Sequence, residues 1–380
     1  MPAKKIKNKT SFIQSGKLDI TFLSLVLILL SIGLVMLFSA SYAYSYTYYG
    51  NSYRFISRQA LFAIIGVAIM LGVSKIDYGI LKKLSWVIYA VTIAMLVVVL
   101  IIPPMSAELN VHRWLYIGSF SFQPSEIAKF SIIVLFSAWL AANSEKIKKL
   151  RYVAWLLLLL AIVCVLVVKE PHLSATILIF ALGIVLMVVG GLKLRWILIG
   201  GGVGIGGIVA LILTGAISYG SDRIKYWLDP WADATGLGYQ TIQSLLAIGS
   251  GGVLGRGIGQ SRQKYLWVPE PHNDFIFSIV CEELGLIGAM VIIVLFCALV
   301  WRGFTIAMRS KDRFGTLLAI GLTFQVGMQA ILNILVVTNT IPNTGISLPF
   351  FSYGGTALVI LLAEMGIVLS VSRGSSIEKV

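Results

Sequence analysis

The chain has 380 residues, 58% of them hydrophobic and 12% charged, with a formal net charge of +14. Soluble domains carry roughly 25% charged residues, so the composition excludes an ordinary soluble enzyme and points to a chain that crosses a bilayer many times as helices. The positive charge reads as an orientation signal and an attraction to anionic membrane lipids, and nucleic acid is excluded as a partner.

Ten spans are predicted: Asp19–Ser41, Gln59–Ser74, Leu84–Ile102, Glu126–Ala142, Val153–Val168, Leu173–Val189, Leu194–Ile217, Asp274–Val300, Phe314–Val337 and Tyr353–Val371. The expected fold class is all-α and polytopic, one integral-membrane domain over residues 1–380, with a basic tail (1–18), a large extracytoplasmic loop (218–273) between the seventh and eighth spans, and a short tail (372–380). The first span is too long in its apolar stretch for a cleaved signal peptide. With both termini cytoplasmic, 20 of the 30 basic residues fall on the cytoplasmic side, as the positive-inside rule requires.

The cytoplasmic connections leave no room for a catalytic domain. Three outward segments are long or unusually polar: Pro103–Ser125, Ser218–Asn273 and Thr338–Ser352. At the end of the first, Ser125 can cap the fourth span behind Pro124. Glu126 and Lys129 follow at i,i+3 spacing, where they can neutralise each other; alternatively, Lys129 faces a cavity and meets an anionic substrate. The seventh span contains a GxGxxG match at Gly202–Gly207, which inside an apolar span reads as small-residue helix packing and not as a dinucleotide loop.

The largest loop holds Trp227, Trp231 and Trp267, residues of the kind that sit at a membrane interface. Within it, Gly238–Ile248 is predicted as an amphipathic helix lying flat at the surface, with Gln240, Gln243 and Ala247 on one face and Ile242, Leu245 and Leu246 on the other. The run Gly249–Gly259 is either a backbone cradle for a phosphate or a plain flexible turn. Arg223, Lys225, Arg256, Arg262 and Lys264 add five cations that suit an anionic substrate, or that simply snorkel at the interface.

Asp274 then opens the eighth span, where a carboxylate is costly to desolvate and marks a candidate functional site. A helical wheel puts Ser278, Cys281 and Gly285 on its face, Glu282 at the edge of that face and roughly 12 Å deeper, and Glu283 opposite. Structural pairing with basic residues is the competing reading for these acids. Glu364, in the last span, needs a partner. Cys164, Cys281 and Cys297 fall within spans and His112, His172 and His272 in separate loops, so no metal-ligand spacing is present and no protein metal site is expected.

The motifs together resemble the SEDS family (shape, elongation, division and sporulation; FtsW, RodA and SpoVE). The matching blocks are His112-Arg113-Trp114-Leu115, Phe122-Gln123-Pro124-Ser125-Glu126 with Lys129, Trp227-Leu228-Asp229-Pro230-Trp231, and Gly238-Tyr239-Gln240 through Gly259-Gln260-Ser261. Pro269-Glu270 through Phe277 follows, continuing into Glu282-Glu283-Leu284-Gly285, and then Pro342-Asn343-Thr344-Gly345-Ile346-Ser347-Leu348-Pro349-Phe350 with Ser352-Tyr353-Gly354-Gly355. The resemblance, nearest to the division and sporulation branch, implies a ten-span peptidoglycan glycosyltransferase that polymerises lipid II. It implies Asp274 as general base. It implies as partners a class B penicillin-binding transpeptidase and other divisome or sporulation cell-wall proteins.

Substrate contacts are expected from Lys129, Glu126, Arg113, Arg223, Gln240, Gln243, Ser244, Arg256, Lys264, His272, Glu282 and Ser352. No resident cofactor is implied; a divalent cation, Mg or Mn, is left open. Two departures stand out. Ser121 occupies a position that is basic in some relatives, and Glu170-Pro171-His172-Leu173-Ser174 replaces a stretch where many relatives have an Asp and a Gly. A lipid II flippase and a non-catalytic scaffold for a transpeptidase are the alternative readings. The flippase draws on the intramembrane charges Glu126, Lys129 and Glu364, but the polar mass is concentrated on the outward side.

Overall fold

The computed structural model describes residues 16–102, 113–117, 120–170, 172–193, 196 and 225–374. Among these, eight helices are long and apolar enough to cross a membrane. They are α1 (Ile20–Tyr49), α2 (Arg54–Val73), α3 (Gly79–Ile101), α4 (Pro124–Ala142), α5 (Leu150–Lys169), α8 (Ile276–Met308), α9 (Arg313–Val337) and α10 (Gly355–Gly374). Two further helices are shorter, the apolar α6 (Leu173–Val189) and α7 (Tyr239–Gly251). The predicted seventh span, with its GxGxxG match, lies outside the described residues except for Trp196. A two-stranded antiparallel hairpin, β1 (Leu115–Ile117) and β2 (Phe120–Phe122), precedes α4, with Leu115 opposite Phe122.

Helix ends follow local chemistry. Asp19 caps α1 by accepting the Phe22 N–H at 2.9 Å, and Gly50 closes it in the left-handed region. The helix runs eight residues past the predicted boundary because Tyr42–Tyr49 carries no breaker. At α4 the expected cap is corrected. Pro124 is already inside the first turn, where its missing N–H costs nothing, and Ser125 turns its hydroxyl towards His172 instead.

Helices pack through small residues, which let backbones approach when lipid supplies no hydrophobic drive between them. A Cβ at Gly66 of α2 would meet Leu362 of α10 at 2.6 Å, and one at Gly366 would meet the Met70 carbonyl at 2.6 Å. Polar fastenings lock the bundle at several points. Asp19 pairs with Arg302 at 2.8 Å, tying the start of α1 to the far end of α8, and Tyr78 donates to Asp312 at 2.7 Å.

The eighth span departs most from expectation. Asp274 precedes α8, so the helical wheel built from it does not apply. The helix itself breaks at Gly285, with φ 66° and ψ −171°, a region open essentially to glycine alone. The glycine-rich run after α7 repairs the break. Arg256 N–H donates to the Glu282 carbonyl at 3.0 Å and Gly257 N–H to the Glu283 carbonyl at 2.9 Å. Leu286 and Ile287 N–H donate back to the Gly252 and Val253 carbonyls at 2.9 and 3.2 Å. Two backbone N–H groups of the run are therefore spent on α8, which removes the phosphate-cradle reading for that part of it.

A Cβ at Gly285 would fall 2.2 Å from the Gly255 nitrogen. Gly285→Ala is expected to destabilise by at least the ~1–3 kcal/mol of a disfavoured backbone region, plus the loss of the four crossing bonds. A thermal unfolding measurement on the purified variant, with Gly72→Ala, where a Cβ meets nothing within 4 Å, as comparison, checks this.

The predicted surface helix is found as α7. Gln243, Ser244 and Ala247 are buried, whereas Leu245 and Leu246 are 38% and 46% exposed. Of the predicted apolar face only Ile242 turns inward, at 3% exposed; Leu245 and Leu246 point away from the protein, as the apolar side of a helix at a membrane surface does.

Candidate active site

A cavity of about 700 Å³ opens among the ends of the helices. Its walls come from Arg113 and the hairpin after it (Tyr116), the first turns of α4 (Glu126, Lys129), α6 (Ser174) and α10 (Thr356), and Glu270, Asn273 and Asp274 ahead of α8. Arg58 of α2 and Gln329 of α9 complete the polar lining. Helix N-termini are electropositive, and three of them border this space. The cavity therefore favours an anion twice over, through side chains and through backbone.

Asp274 is partly buried at the cavity wall. Its placement is rigid. Asn333 Nδ2 donates both to the Asp274 carbonyl at 2.7 Å and to the Ile346 carbonyl at 2.6 Å, clamping two segments together. Gly345 sits beside the carboxylate with φ 70°, and a Cβ there would lie 3.3 Å from Asp274 Oδ2. No described residue donates a hydrogen bond to the carboxylate oxygens. Burial, helped by the like charge of Glu270 and opposed by Arg113, pushes the carboxyl up to about 6. A carboxylate with its proton affinity near working pH and its lone pairs unspent is suited to act as a base.

The facing wall carries the cations. Lys129 is buried, 2.8 Å from Glu126 Oε2 and 3.3 Å from Gln329 Oε1. The pair is thus an ion pair that also lines the cavity. Arg113 reaches the Glu170 carbonyl oxygen at 3.2 Å. The Glu170 carboxyl is buried, and burial pushes it up to about 8 despite Arg113. It is therefore mostly neutral at pH 7. Beyond the cavity, Gln325 donates to the buried Glu364 at 2.8 Å, supplying a partner for that acid.

Sequence reasoning missed several lining residues. His172 borders the cavity and its Nδ1 accepts from Gln123 Nε2 at 3.1 Å, which places the ring proton on Nε2. Burial, with Arg113 and Lys129 nearby, lowers it to about 3, so the imidazole is a neutral group at physiological pH. Arg58 and Glu270 were also missed as lining residues. Nothing in residue spacing joins α2 to a loop more than 200 positions later.

The other predicted contacts lie elsewhere. Ser352 Oγ donates to the Asn273 carbonyl and accepts from Leu348 N–H, each at 2.8 Å. His272 is buried among the rings of Tyr44 and Phe55, and its carbonyl accepts from Tyr353 N–H at 2.9 Å. Both residues brace the segment that carries Asp274. Gln240 accepts from Asn343 at 3.1 Å and Ser244 donates to the Val337 carbonyl at 2.9 Å, so α7 holds the loop that ends at Gly345. Gln243 is buried on the same helix.

Lys264 is buried against Glu283 at 3.0 Å and Ser39 at 3.0 Å. Glu282 is fully buried, accepts from Arg262 N–H at 2.9 Å and lies 3.6 Å from Arg256. These residues fasten the glycine-rich loop to α8, with no contact to the cavity. Arg223 lies outside the described residues.

The cell cycle protein family of FtsW, RodA and SpoVE matches residues 20–377. The chain belongs to this family. Stage V sporulation protein E of Bacillus subtilis is 39% identical over 330 residues, covering 86% of this chain and 89% of that protein. A probable peptidoglycan glycosyltransferase FtsW of Geobacter sp. strain M18 is 37% identical over 326 residues, covering 85% and 88%. Among solved structures, a chain of a peptidoglycan synthase complex that coordinates polymerization and crosslinking superposes with a TM-score of 0.78 at 27% identity, covering 95% of this chain and 99% of that one. The rod shape determining protein RodA of Thermus thermophilus superposes with a TM-score of 0.70 at 25% identity, covering 95% and 98%. This FtsW/RodA/SpoVE chain is accordingly a multi-pass helical membrane protein.

Proposed function

We propose that this chain is a peptidoglycan glycosyltransferase that polymerises lipid II into glycan strands at the outer face of the cytoplasmic membrane. The observation that carries the reading is the placement of Asp274, a carboxylate with no hydrogen-bond donor among the described residues, in one cavity with Arg58, Arg113 and Lys129. Asp274 takes the proton of the acceptor sugar's 4-hydroxyl. The freed oxygen attacks the anomeric carbon of the donor, the bond to the pyrophosphate breaks, and undecaprenyl pyrophosphate leaves with the electron pair. The configuration inverts, and no covalent enzyme intermediate forms. The cations stabilise charge growing on the departing pyrophosphate.

Orientation follows from charge. Lys75, Lys146, Lys148 and Lys149 in the connections, with Lys82, Lys83 and Arg151 in the first turns of α3 and α5, sit at the ends of the helices remote from the cavity. The positive-inside rule makes that face cytoplasmic and the cavity outward, with both termini inside. The chain acts as a single membrane domain.

Among the described residues no three His, Cys, Asp or Glu gather into a metal site. Among the described residues a divalent cation, Mg or Mn, would find Asp274 and Glu270 as the lining acids outside an ion pair and would take its remaining ligands from pyrophosphate and water. A class B penicillin-binding transpeptidase is the expected partner, alongside other divisome or sporulation proteins; the similarity to a chain of a synthase complex supports this.

The test is incubation of the purified protein with lipid II, alone and with its transpeptidase, scored for glycan polymer. Lipid translocation in liposomes without polymer would favour the flippase instead. The pH dependence adds a second check. With Asp274 near 6, the rate is expected to fall as pH drops below about 6, where the base becomes protonated. Because Glu270 raises that value, Glu270→Gln should move the acidic limb to lower pH. A pH–rate profile of both proteins reads the shift.

A further inference from the structure

A second cavity, of about 420 Å³, lies at the opposite end of the bundle, between the last turns of α4 and the first turns of α5. Trp139 is thirteen residues beyond Glu126 on α4, roughly 20 Å along the helix, so this space is separate from the Asp274 cavity. It is lined by Trp139, Arg151, Tyr152, Ala154, Trp155 and Leu158. The Trp139 and Tyr152 rings pack with centroids 5.9 Å apart, and Lys146 Nζ lies 5.8 Å from the Tyr152 ring centre. Arg151 is exposed at the rim and makes no ion pair with any described residue. By contrast, the neighbouring Lys148 is held by Glu145 at 2.7 Å.

The surface leading away from this cavity is apolar. Leu158, Ile162 and Val165 follow Arg151 on one face of α5 and are 51%, 39% and 55% exposed. From the helix end inwards, the face therefore presents cations, then aromatic rings, then an aliphatic stripe. That order matches a phospholipid from its phosphate to its acyl chain.

We infer that this crevice is a binding site for one anionic phospholipid on the cytoplasmic leaflet. Arg151 and Lys146 hold the phosphodiester, the Trp139–Tyr152 pair and Trp155 surround the glycerol region, and the α5 stripe carries an acyl chain. Charge complementarity and the adjoining aliphatic face select a lipid over a free phosphate, which would have no use for the stripe.

The experiment is a thermal-shift series on the detergent-purified full chain, titrated with phosphatidylglycerol, phosphatidylcholine or inorganic phosphate. Native mass spectrometry counts retained lipids in parallel. The expected result is stabilisation and one retained lipid with phosphatidylglycerol only. Arg151→Ala and Lys146→Ala should each weaken apparent affinity about fivefold. Trp155→Ser, which keeps every charge, should also weaken it, and Lys148→Ala should not. Equal stabilisation by phosphatidylcholine or by inorganic phosphate would overturn the site. So would an equal loss in Lys148→Ala, because that outcome reports charge attraction to the whole surface.

Discussion

Asp274→Asn is expected to lower lipid II polymerisation by roughly 10²–10⁴-fold, the usual contribution of a positioned general base. The change is nearly isosteric, so the clamp from Asn333 to the Asp274 and Ile346 carbonyls should survive. Two companion readouts separate loss of chemistry from loss of structure. Burial raises the carboxyl in the folded protein from 3.8 to about 6, so the folded state prefers the protonated form. Stability from this group is complete below the unfolded value and is lost as pH rises through 6. At pH 7.5 the native carboxylate therefore destabilises the fold, and Asn removes that cost, so Tm should hold or rise as activity collapses. The variant also removes a negative charge from a cavity lined by Arg58, Arg113 and Lys129. Binding of the anionic donor should be retained or tightened. A Tm that falls with activity, or weaker lipid II binding, would assign Asp274 a structural role.

Much of the bundle was legible because a bilayer imposes a length and a polarity that any long helix must meet. The predicted spans on described residues all appear as helices, with shifts at the ends set by Pro124, Gly50 and the unbroken tyrosine run. The errors arose where the chain leaves that regime. The α8 break at Gly285 is invisible to a helical wheel, because its hydrogen bonds are restored by a loop some 30 residues earlier in sequence. Glu282 and Lys264 looked like site groups for the same reason that they are buried, since each needs a partner. The sequence does not say whether the partner is a substrate, Ser261 and Arg262, or Glu283. Asp274, Arg113, Glu126 and Lys129 do meet in one cavity. His172 and Arg58 join them only through tertiary packing.

Lys129→Met gives the second large effect, and its reading depends on Glu126. The single variant strands a largely buried carboxylate whose cation was 2.8 Å away. Breaking a buried pair from one side costs about 3–5 kcal/mol, mostly as the penalty of the remaining charge. A loss of activity in that protein alone would therefore say little. Glu126→Gln combined with Lys129→Met removes both charges, and replacement of a buried pair by neutral groups of similar volume is often neutral for stability. The double variant should recover most of the lost Tm. If Lys129 does no more than hold α4 in place, polymerisation should recover with it. If Lys129 stabilises charge on the leaving pyrophosphate, activity should stay down by roughly 10²–10³-fold, the scale of losing one preorganised electrostatic contact. The latter is the expected outcome. Among the described residues, Glu126 and Gln329 take up two of the ammonium's three donors, at 2.8 and 3.3 Å, which leaves the third for a ligand. The ammonium lines the same cavity as Asp274, bordered by the N-termini of α4 and α6. That arrangement has little to offer a neutral sugar and much to offer a pyrophosphate.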